Sequence, residues 1–146
     1  MFRDLQEGDK EVFLSMVKTF YSSEAVSSAV EPKNFDATFK AALDKSPFMR
    51  ALIIEDEGKP VGYGLLSFTY SNEVGGMVVL AEELYIAEAY RGKGYGREFF
   101  AFIEREYPAA RRFRLEVMQG NTNAIRLYEK LGYRPLEYRQ MIKDIL

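Results

Sequence analysis

The sequence predicts a single α/β domain over residues 1–146, with a mixed, mostly antiparallel sheet and helices on both faces. Two patterns predict this class: helical stripes of apolar residues alternate with short strand-like runs, and one strand is followed by a helix and then by another strand. A strand–helix–strand unit of this kind, here residues 77–117, is expected to place its strands parallel. At 146 residues the chain has the length of one domain with its own core.

The N-terminal part of the sequence predicts a short strand and two helices. Residues 1–5 are expected to form the strand, and Gly8 with Asp9 to end a turn that leads into the first helix. That helix carries an apolar stripe at helical spacing, made of Val12, Phe13, Met16, Val17 and Phe20. After a Ser-rich stretch and Pro32, we expect a second helix over residues 34–44.

The middle of the sequence predicts antiparallel strands. Residues 51–54 and 61–70 are expected to form a hairpin around the turn at residues 56–60. A third strand, residues 77–86, leads into a glycine-rich loop, and the helix that follows this loop ends at Pro108.

The last part of the sequence predicts two strands around one helix. Residues 112–117 alternate as a strand. Asn121 or Thr122 is expected to cap the helix that follows, and Gly132 to end it. A final strand at residues 138–142 is expected to close the sheet.

The composition excludes several kinds of chemistry. The chain has no Cys and no His, which excludes disulfides, thiolate nucleophiles, imidazole bases and a zinc site, and no metal is expected. Proton transfer must therefore use Asp, Glu, Lys, Tyr or water. The formal charge of −2 provides no global field for holding nucleic acid. Because the sequence lacks a signal peptide and an apolar run of membrane-spanning length, we expect a cytoplasmic protein without membrane contact.

The loop after the third strand carries the strongest functional signal. Glycines let a ligand approach backbone N–H groups, and the N-terminus of a following helix favours an anion. The glycines of this loop are Gly92, Gly94 and Gly96. Cations around the loop also favour an anion such as a diphosphate, and they are Arg91, Lys93 and Arg97.

Two nucleotide-binding motifs match this loop poorly. A P-loop requires G-x-x-x-x-G-K-[ST], which the loop lacks. The dinucleotide fingerprint G-x-G-x-x-G is met by Gly92 and Gly94, but Arg97 stands at the third glycine position. Glu116 follows about twenty residues later, where that fingerprint expects a ribose-binding acid, so a dinucleotide-binding domain stays open as an alternative.

A better match to the loop is the pattern R-x-x-G-x-G, filled by Arg91, Gly94 and Gly96. It resembles the acetyl-CoA-binding signature of the GCN5-related N-acetyltransferases. A second stretch, from Asn121 through Tyr128, is similar to that family's ending Asn-x-x-Ala-x-x-Leu-Tyr-x-x-x-Gly-aromatic. The two halves occur in the family's order and at its separation. The resemblance implies the family's fold, in which a pair of parallel strands splays apart within a mixed sheet.

Three glutamates are candidates for the general base that an amine acceptor requires. An amine of lysine type has a pKa near ~10, so roughly one molecule in a thousand is uncharged at neutral pH. Adjacent strand residues point to opposite faces, so Glu82 and Glu83 face one site together only if a bulge intervenes. The resemblance to polyamine-type acetyltransferases favours Glu82, which lies nine residues before Arg91 (91 − 82). Glu116 resembles the base of the protein N-terminus acetyltransferases within the family.

Tyr128 is the candidate general acid. Helical spacing alone places it on an apolar stripe with Leu127 and Leu131, which favours a core tyrosine. The resemblance implies instead that it protonates the leaving thiolate. A thiol has a pKa of about 8.5 and tyrosine one of about 10, so this transfer is uphill by roughly 2 kcal/mol before local tuning.

The resemblance also implies which residues bind acetyl-CoA. The main chain of Leu84, Tyr85 and Ile86 would hold the thioester and the pantetheine arm, with an N–H near Leu84 polarising the carbonyl. Asn121 would hydrogen-bond the pantetheine, and a plain helix cap is its alternative role. The loop would hold the diphosphate through Arg91, Gly92, Lys93, Gly94, Tyr95, Gly96 and Arg97.

The expected function is acetyl transfer from acetyl-CoA to a primary amine, by direct attack in a ternary complex. A small-molecule or polyamine-like acceptor is favoured if Glu24, Glu31 and Glu73 form an acidic mouth with the glutamate pair, whereas scattered surface acids are the ordinary explanation for these residues. No nucleic acid or membrane partner is expected, and a homodimer is left open. A non-catalytic CoA-binding module of the same fold is the main alternative.

Overall fold

A mixed sheet forms the centre of the molecule. In the computed structural model, which describes residues 1–23, 26 and 29–145, five strands pair in chain order. They are β1 (Phe2–Asp4), β2 (Met49–Asp56), β3 (Lys59–Ser71), β4 (Gly76–Ile86) and β5 (Arg112–Leu115). Neighbouring strands are antiparallel except β4 and β5, which run parallel. The predicted fold class is confirmed.

Helices cover both faces of this sheet. They are α1 (Lys10–Tyr21), α2 (Pro32–Leu43), α3 (Tyr95–Glu106) and α4 (Thr122–Lys130), with short 3-10 turns at Glu7–Asp9 and Glu88–Tyr90. On one face α1 and α2 pack through a cluster that includes Phe13, Phe39 and Tyr63. On the other face α3 and α4 pack around Phe99 and Phe100. In the part of the chain that the structure describes, no helix has the length and apolar character needed to cross a bilayer.

The strand β4 contains a β-bulge. Its register with β3 pairs Leu65 with Glu83 but the next residue, Leu66, with Ala81. Glu82 is therefore an extra residue on β4, and it interrupts the alternation of side chains along the strand.

Because of the bulge, Glu82 and Glu83 face the same side of the sheet. Glu83 accepts a hydrogen bond from the Tyr63 hydroxyl, and Glu82 accepts one from the Ser67 hydroxyl. Tyr63 packs in the α1–α2 cluster together with Leu65, and Ser67 lies two residues further along the regular strand β3, on the same face. The condition under which both glutamates reach one site is thus met.

The parallel strands separate part of the way along β4. Pairing runs from Val78 with Arg112 to Ala81 with Leu115, and β4 then continues to Ile86 beside β3 alone. The separation begins at the bulge. It forms the splayed parallel pair that the resemblance implies.

The expected last strand, residues 138–142, is absent, and this prediction is wrong. Within the described chain, residues 133–145 form neither helix nor strand. Pro135 has no N–H to donate to a neighbouring strand, and the Tyr138 hydroxyl instead donates to Glu73 at 3.1 Å.

Two element boundaries also differ from expectation. The strand β5 ends at Leu115 rather than at residue 117, so Glu116 lies just beyond a strand and not within it. The helix α2 begins at Pro32 rather than at residue 34, because the fixed φ of proline suits the first position of a helix.

Candidate active site

The loop between β4 and α3 holds two glycines in the left-handed region. Gly92 has a φ of 74°, and Gly94, which precedes α3, has a φ of 94°. A Cβ built on Gly94 would meet no atom within 4 Å, so the approach to the loop backbone is open. The first turn of α3 adds N–H groups that have no acceptor within the helix. The loop therefore has the geometry of an anion-binding site.

Basic side chains surround this loop. Arg91 donates from Nε to the carbonyl of Ile86 at 2.9 Å and so fixes the start of the loop. Lys93 places its Nζ 4.9 Å from the centre of the Tyr90 ring. Arg97 is exposed on the first turn of α3 and forms no ion pair with any residue that the structure describes. Its charge is available to an anion.

Gly96 brings the loop against the interior of the molecule. A Cβ at this position would lie 3.2 Å from Cδ2 of Leu127 on α4 and 4.0 Å from Cδ2 of Leu84 on β4. The absence of a side chain thus lets the first turn of α3 approach both α4 and the separated part of β4. The anion-binding loop and the splay are neighbours for this reason.

A groove of about 1620 Å³ opens where β4 and β5 separate. Six of the predicted site residues line it, and they are Glu82, Glu83, Leu84, Glu116, Asn121 and Tyr128. The structure therefore brings together side chains from β4, from the end of β5 and from α4. Of the other predicted residues, Tyr85, Ile86 and residues 91–97 lie outside this lining, and the loop adjoins it through Gly96.

The backbone of β4 presents N–H groups toward the gap. The Ala87 N–H donates to the Val61 carbonyl on β3 at 2.8 Å. Because successive residues of an antiparallel strand direct their backbone groups to opposite sides, the N–H groups of Leu84 and Ile86 point away from β3. The same alternation directs the backbone of Tyr85 toward β3 and into the ladder. Leu84 and Ile86 are thus the donors that face the splay.

Glu83 is held by two tyrosines. Its Oε1 accepts a short hydrogen bond from the Tyr21 hydroxyl, and its Oε2 accepts one from the Tyr63 hydroxyl at 2.6 Å. Burial raises the pKa of the Glu83 carboxyl, although both hydroxyls oppose that shift. Burial and the adjacent carboxylate also raise the pKa of Tyr21 and of Tyr63, so both hydroxyls stay protonated as donors.

Glu82 has a different environment from its neighbour. Its carboxylate is exposed to solvent, and its Oε1 accepts a hydrogen bond from the Ser67 hydroxyl at 2.7 Å. The other oxygen, Oε2, has no hydrogen-bond donor among the residues that the structure describes. Among the described residues, both oxygens of Glu83 therefore accept hydrogen bonds, whereas Oε2 of Glu82 accepts none.

A smaller cavity of about 230 Å³ lies between α1 and α2 beside Glu83. Five of its lining residues are apolar, namely Phe13, Val17, Val30, Phe35 and Leu65, and four carry polar groups, namely Tyr21, Asn34, Thr38 and Glu83. Glu83, Tyr21 and Val30 also line the large groove. The cavity and the groove therefore meet at the Glu83 carboxylate.

Tyr128 lies on α4 with its ring packed and its hydroxyl without a partner among the described residues. The ring is 5.4 Å from Phe100 and 6.2 Å from Tyr133, centre to centre. Burial raises the pKa of Tyr128, so the hydroxyl is protonated at neutral pH. It forms no hydrogen bond with the described part of the chain, while its side chain lines the groove. Both roles foreseen for this tyrosine are compatible with this position, because the ring is in the core and the residue borders the groove.

Asn121 and Glu116 occupy the far side of the groove. Asn121 caps α4, its side chain accepting from the Ala124 N–H at 3.4 Å, which is the alternative role foreseen for it. Glu116 is exposed and forms no hydrogen bond or ion pair with the described residues. It is therefore not a paired structural carboxylate.

The acidic mouth is incomplete in the described chain. Glu73 is paired with Arg112 at 3.1 Å, and Glu31 precedes α2 without lining the groove. Glu24 lies outside the described residues. Across the residues that the structure describes, no group of three or more potential metal ligands lies together.

Sequence reasoning missed the residues that hold the glutamates. Tyr21 is 62 positions from Glu83 along the chain, and no local spacing connects them. Tyr63 and Ser67 are ordinary strand residues by pattern. The one usable signal was the adjacent pair of acids at the end of a strand that leads into the glycine-rich loop.

Comparison with known proteins matches residues 13–133 to the family described as "Acetyltransferase (GNAT) family". Two relatives are named thialysine N-epsilon-acetyltransferase. The protein from Sus scrofa is 31% identical, with 93% of this chain and 85% of the relative covered. The protein from Bos taurus is 30% identical with the same coverage of both chains.

Solved structures match the whole fold at low sequence identity. A possible acetyltransferase from Clostridium difficile 630 superposes with a TM-score of 0.82 at 18% identity, over 100% of this chain and 97% of that one. An aminoglycoside acetyltransferase, AAC(6')-Iy in complex with the bisubstrate analogue CoA-S-monomethyl-acetylneamine, superposes with a TM-score of 0.80 at 16% identity, over 100% and 98% of the two chains. At these identities the likeness concerns the fold.

Proposed function

The chain belongs to the GNAT acetyltransferase family, and from this premise we propose that it acetylates the primary amine of a small cationic molecule. The acetyl group passes from acetyl-CoA directly to the amine while both are bound. One observation carries the proposal: the bulge at Glu82 turns two carboxylates to one face of β4, at the point where β4 and β5 separate.

The residues around the splay fit acetyl-CoA, which supplies the acetyl group as a reactive thioester. The open loop backbone at Gly92 and Gly94 suits the diphosphate, and Arg97 forms no ion pair with a described residue. The N–H groups of Leu84 and Ile86 face the gap and suit the thioester carbonyl and the pantetheine amides. The Asn121 side chain would bind the same pantetheine arm if it gave up the hydrogen bond that it accepts from the Ala124 N–H. Family membership favours this donor over a dinucleotide, for which the loop lacks the third glycine.

Glu82 is the proposed general base. The amine arrives protonated at neutral pH and has to lose a proton before it attacks. Glu82 is suited to accept this proton, directly or through one water, because it borders the groove and its Oε2 has no donor among the described residues. Glu116 borders the same groove on the other side and ranks behind it.

Glu83 is proposed to bind the amine substrate rather than to accept its proton. Both of its oxygens are occupied by tyrosine hydroxyls, which fix the carboxylate at the junction of the groove and the smaller cavity. A fixed negative charge at that junction attracts a cationic substrate and orients it. The apolar walls of the cavity suit an aliphatic chain, so a linear amine of thialysine or polyamine type is the favoured acceptor.

Tyr128 is the proposed general acid. Its hydroxyl is protonated at neutral pH, is free of hydrogen bonds with described residues and belongs to a side chain that borders the groove. It is suited to donate its proton to the sulfur of the departing coenzyme A.

The test is an acetylation assay with acetyl-CoA across a panel of amines, with products identified by mass spectrometry. The panel contains thialysine, lysine, spermidine, neamine and a peptide with a free N-terminus. We expect the highest kcat/KM with thialysine or spermidine. If the protein binds coenzyme A but acetylates no member of the panel, the non-catalytic binding module of this fold is supported and the proposal fails.

A further inference from the structure

The Glu82 carboxylate receives its one hydrogen bond from the described part of the chain from Ser67 on β3. The Ser67 hydroxyl donates to Oε1 of Glu82 at 2.7 Å. No lysine or arginine that the structure describes forms an ion pair with this carboxylate. Within the described chain, the orientation of the proposed base therefore depends on one neutral hydroxyl.

The β-bulge on β4 explains why Glu82 needs such a partner. Leu65 pairs with Glu83 and Leu66 with Ala81, so Glu82 has no residue opposite it on β3. The extra residue of a bulge lacks the regular ladder that fixes its neighbours along the strand. The glutamate side chain is also exposed, and a free glutamate populates many rotamers. Without a contact across the bulge, the carboxylate would have no fixed position.

Ser67 is placed to supply that contact. It lies on β3 opposite Leu80, and its side chain is on the same face of the strand as Leu65. Its hydroxyl reaches back along this face to the one residue of β4 that the register leaves without a partner. Because Oε1 is engaged by this bond, Oε2 is the oxygen left to act as the base.

Ser67 itself lies outside the two cavities. It borders neither the large groove nor the smaller cavity, whereas Glu82 borders the groove. A molecule bound in the groove would therefore meet Glu82 and not Ser67. This distinguishes Ser67 from Tyr21, which holds Glu83 and lines both cavities. An effect of Ser67 on acetyl transfer is thus expected to pass through Glu82.

We propose that Ser67 is a positioning residue for the general base, and that its hydroxyl holds the Glu82 carboxylate with Oε2 toward the groove. The inference rests on the proposed function, in which a proton leaves the ammonium nitrogen for Oε2 and the freed electron pair attacks the thioester carbonyl. A base acts only within hydrogen-bond reach of the proton that it takes, and small losses of geometry lower the rate strongly. Ser67 should therefore affect kcat and not the binding of the amine.

The first experiment measures steady-state kinetics of the full chain with acetyl-CoA and the best acceptor of the amine panel. Ser67→Ala should lower kcat roughly tenfold and change the KM of the amine by less than about twofold, because the base is misplaced and no substrate contact is lost. Ser67→Thr keeps the hydroxyl and should restore most of the kcat. Ser15→Ala on the exposed face of α1 is the matched control and should equal wild type. An unchanged kcat in Ser67→Ala, or a change confined to KM, overturns the proposal.

A second experiment asks whether Ser67 acts through Glu82. Ser67→Ala is combined with Glu82→Gln, and kcat is compared among wild type, the two single variants and the double variant. Positioning predicts a loss of roughly tenfold from Ser67→Ala when Glu82 is present and little further loss when the carboxylate is absent. Equal losses in the two backgrounds would show an independent structural effect and overturn the proposal.

The outcomes separate this inference from the proposed function. If the wild type acetylates no amine of the panel, the proposed function fails and the role of Ser67 fails with it. If the wild type acetylates an amine and Glu82→Gln keeps full kcat, acetyl transfer stands but Glu82 is not the base, which overturns the role of Ser67. If Glu82→Gln loses activity and Ser67→Ala does not, the positioning role alone fails.

Discussion

Glu82 and Glu83 are neighbours in the sequence, yet their surroundings suit them to different tasks. The bulge puts both on one face of β4, where Glu83 is half-buried between two tyrosine hydroxyls and Glu82 is exposed beside Ser67. A carboxylate with both oxygens engaged is a fixed charge, whereas one with a free oxygen is able to take a proton. This difference between Glu82 and Glu83 depends on the hydrogen bonds of each carboxylate, so isosteric substitution of each residue tests it.

Replacing each glutamate by glutamine should separate these roles. Glu82→Gln should lower both kcat and kcat/KM by about 10² to 10⁴, because a general base is lost. Glu83→Gln should instead raise the KM of the amine roughly tenfold with a smaller change in kcat, because one charged contact to the substrate is lost. Steady-state kinetics over a range of pH measures both effects. Glu11→Gln on the exposed face of α1 is the control, and an unchanged kcat in Glu82→Gln would exclude Glu82 as the base.

The two tyrosines beside Phe100 offer a matched comparison. Tyr128→Phe should lower kcat by about 10² or more with little change in the Kd of coenzyme A, because only the proton donor is removed. Tyr133→Phe removes a buried hydroxyl that has no hydrogen-bond partner in the part of the chain that the structure describes, so it should keep full activity and leave stability equal or higher. Kinetics and calorimetric titration measure these outcomes. Equal turnover in wild type and Tyr128→Phe would remove Tyr128 as the acid.

At the scale of the elements, the loop between β4 and α3 and the splay beside it form the proposed donor site. The loop supplies backbone donors at one end, and the separated part of β4 supplies Leu84 and Ile86 at the other. Gly96 keeps the two in contact, since it allows α3 to approach β4 and α4.

Gly94→Ala should reduce the affinity for coenzyme A at least tenfold, because a methyl group enters the approach to the loop backbone and the left-handed residue becomes strained. Gly58→Ala in the turn between β2 and β3 is the matched control. Gly58 has a φ of 79° and, like Gly94, open space around a built Cβ. Both variants should lose a similar amount of stability, about 1 kcal/mol. Calorimetric titration measures the affinity of each variant for coenzyme A. Equal affinity in the two variants would mean that the loop does not bind the diphosphate.

Local patterns in the sequence predicted most of the elements, whereas the splay beside the glycine-rich loop was implied only by the resemblance to the family. Each of the helices α1 to α4 has an apolar stripe, and the glycine-rich loop has a recognisable spacing of glycines. Short stretches of sequence were therefore enough to predict these elements. The bulge at Glu82 was considered only as the condition under which Glu82 and Glu83 face one site. The sequence did not predict it, because it arises from the register of β4 against β3. The contact of Tyr21 with Glu83 was not foreseen because it joins distant parts of the chain. A strand was expected at residues 138–142 to close the sheet, but in the described chain these residues pair with no other strand.

At the scale of the whole molecule, two partly buried ion pairs of Arg3 connect the start of the chain to the sheet. Arg3 on β1 donates to both oxygens of Asp9 at 2.7 and 2.9 Å and to Glu55 on β2 at 2.7 Å. Asp9 is 7% exposed and also accepts from the Gln6 N–H. The hydrogen bond from Arg3 holds the pKa of the Asp9 carboxyl below its ordinary value.

Asp9→Asn should therefore destabilise the fold by about 2 kcal/mol at neutral pH. A carboxyl with a lowered pKa in the folded state stabilises above its unfolded pKa of about 3.9, and that contribution is lost as the pH falls through the folded pKa. Wild type and variant should thus differ in Tm at neutral pH and converge in acid. The control Asp36→Asn breaks an exposed pair with Lys10 at 3.6 Å and should change stability by less than about 1 kcal/mol. A constant difference between wild type and Asp9→Asn at all pH values would refute this assignment.

The central claim is that acetyl-CoA and the amine meet in one groove and react directly. Initial velocities measured while both substrate concentrations are varied test it most directly. The account predicts double-reciprocal lines that converge, as a ternary complex requires, with no acetylated form of the protein when acetyl-CoA is supplied alone. Parallel lines together with an acetylated protein would contradict it, because they would show transfer through a covalent intermediate on the chain.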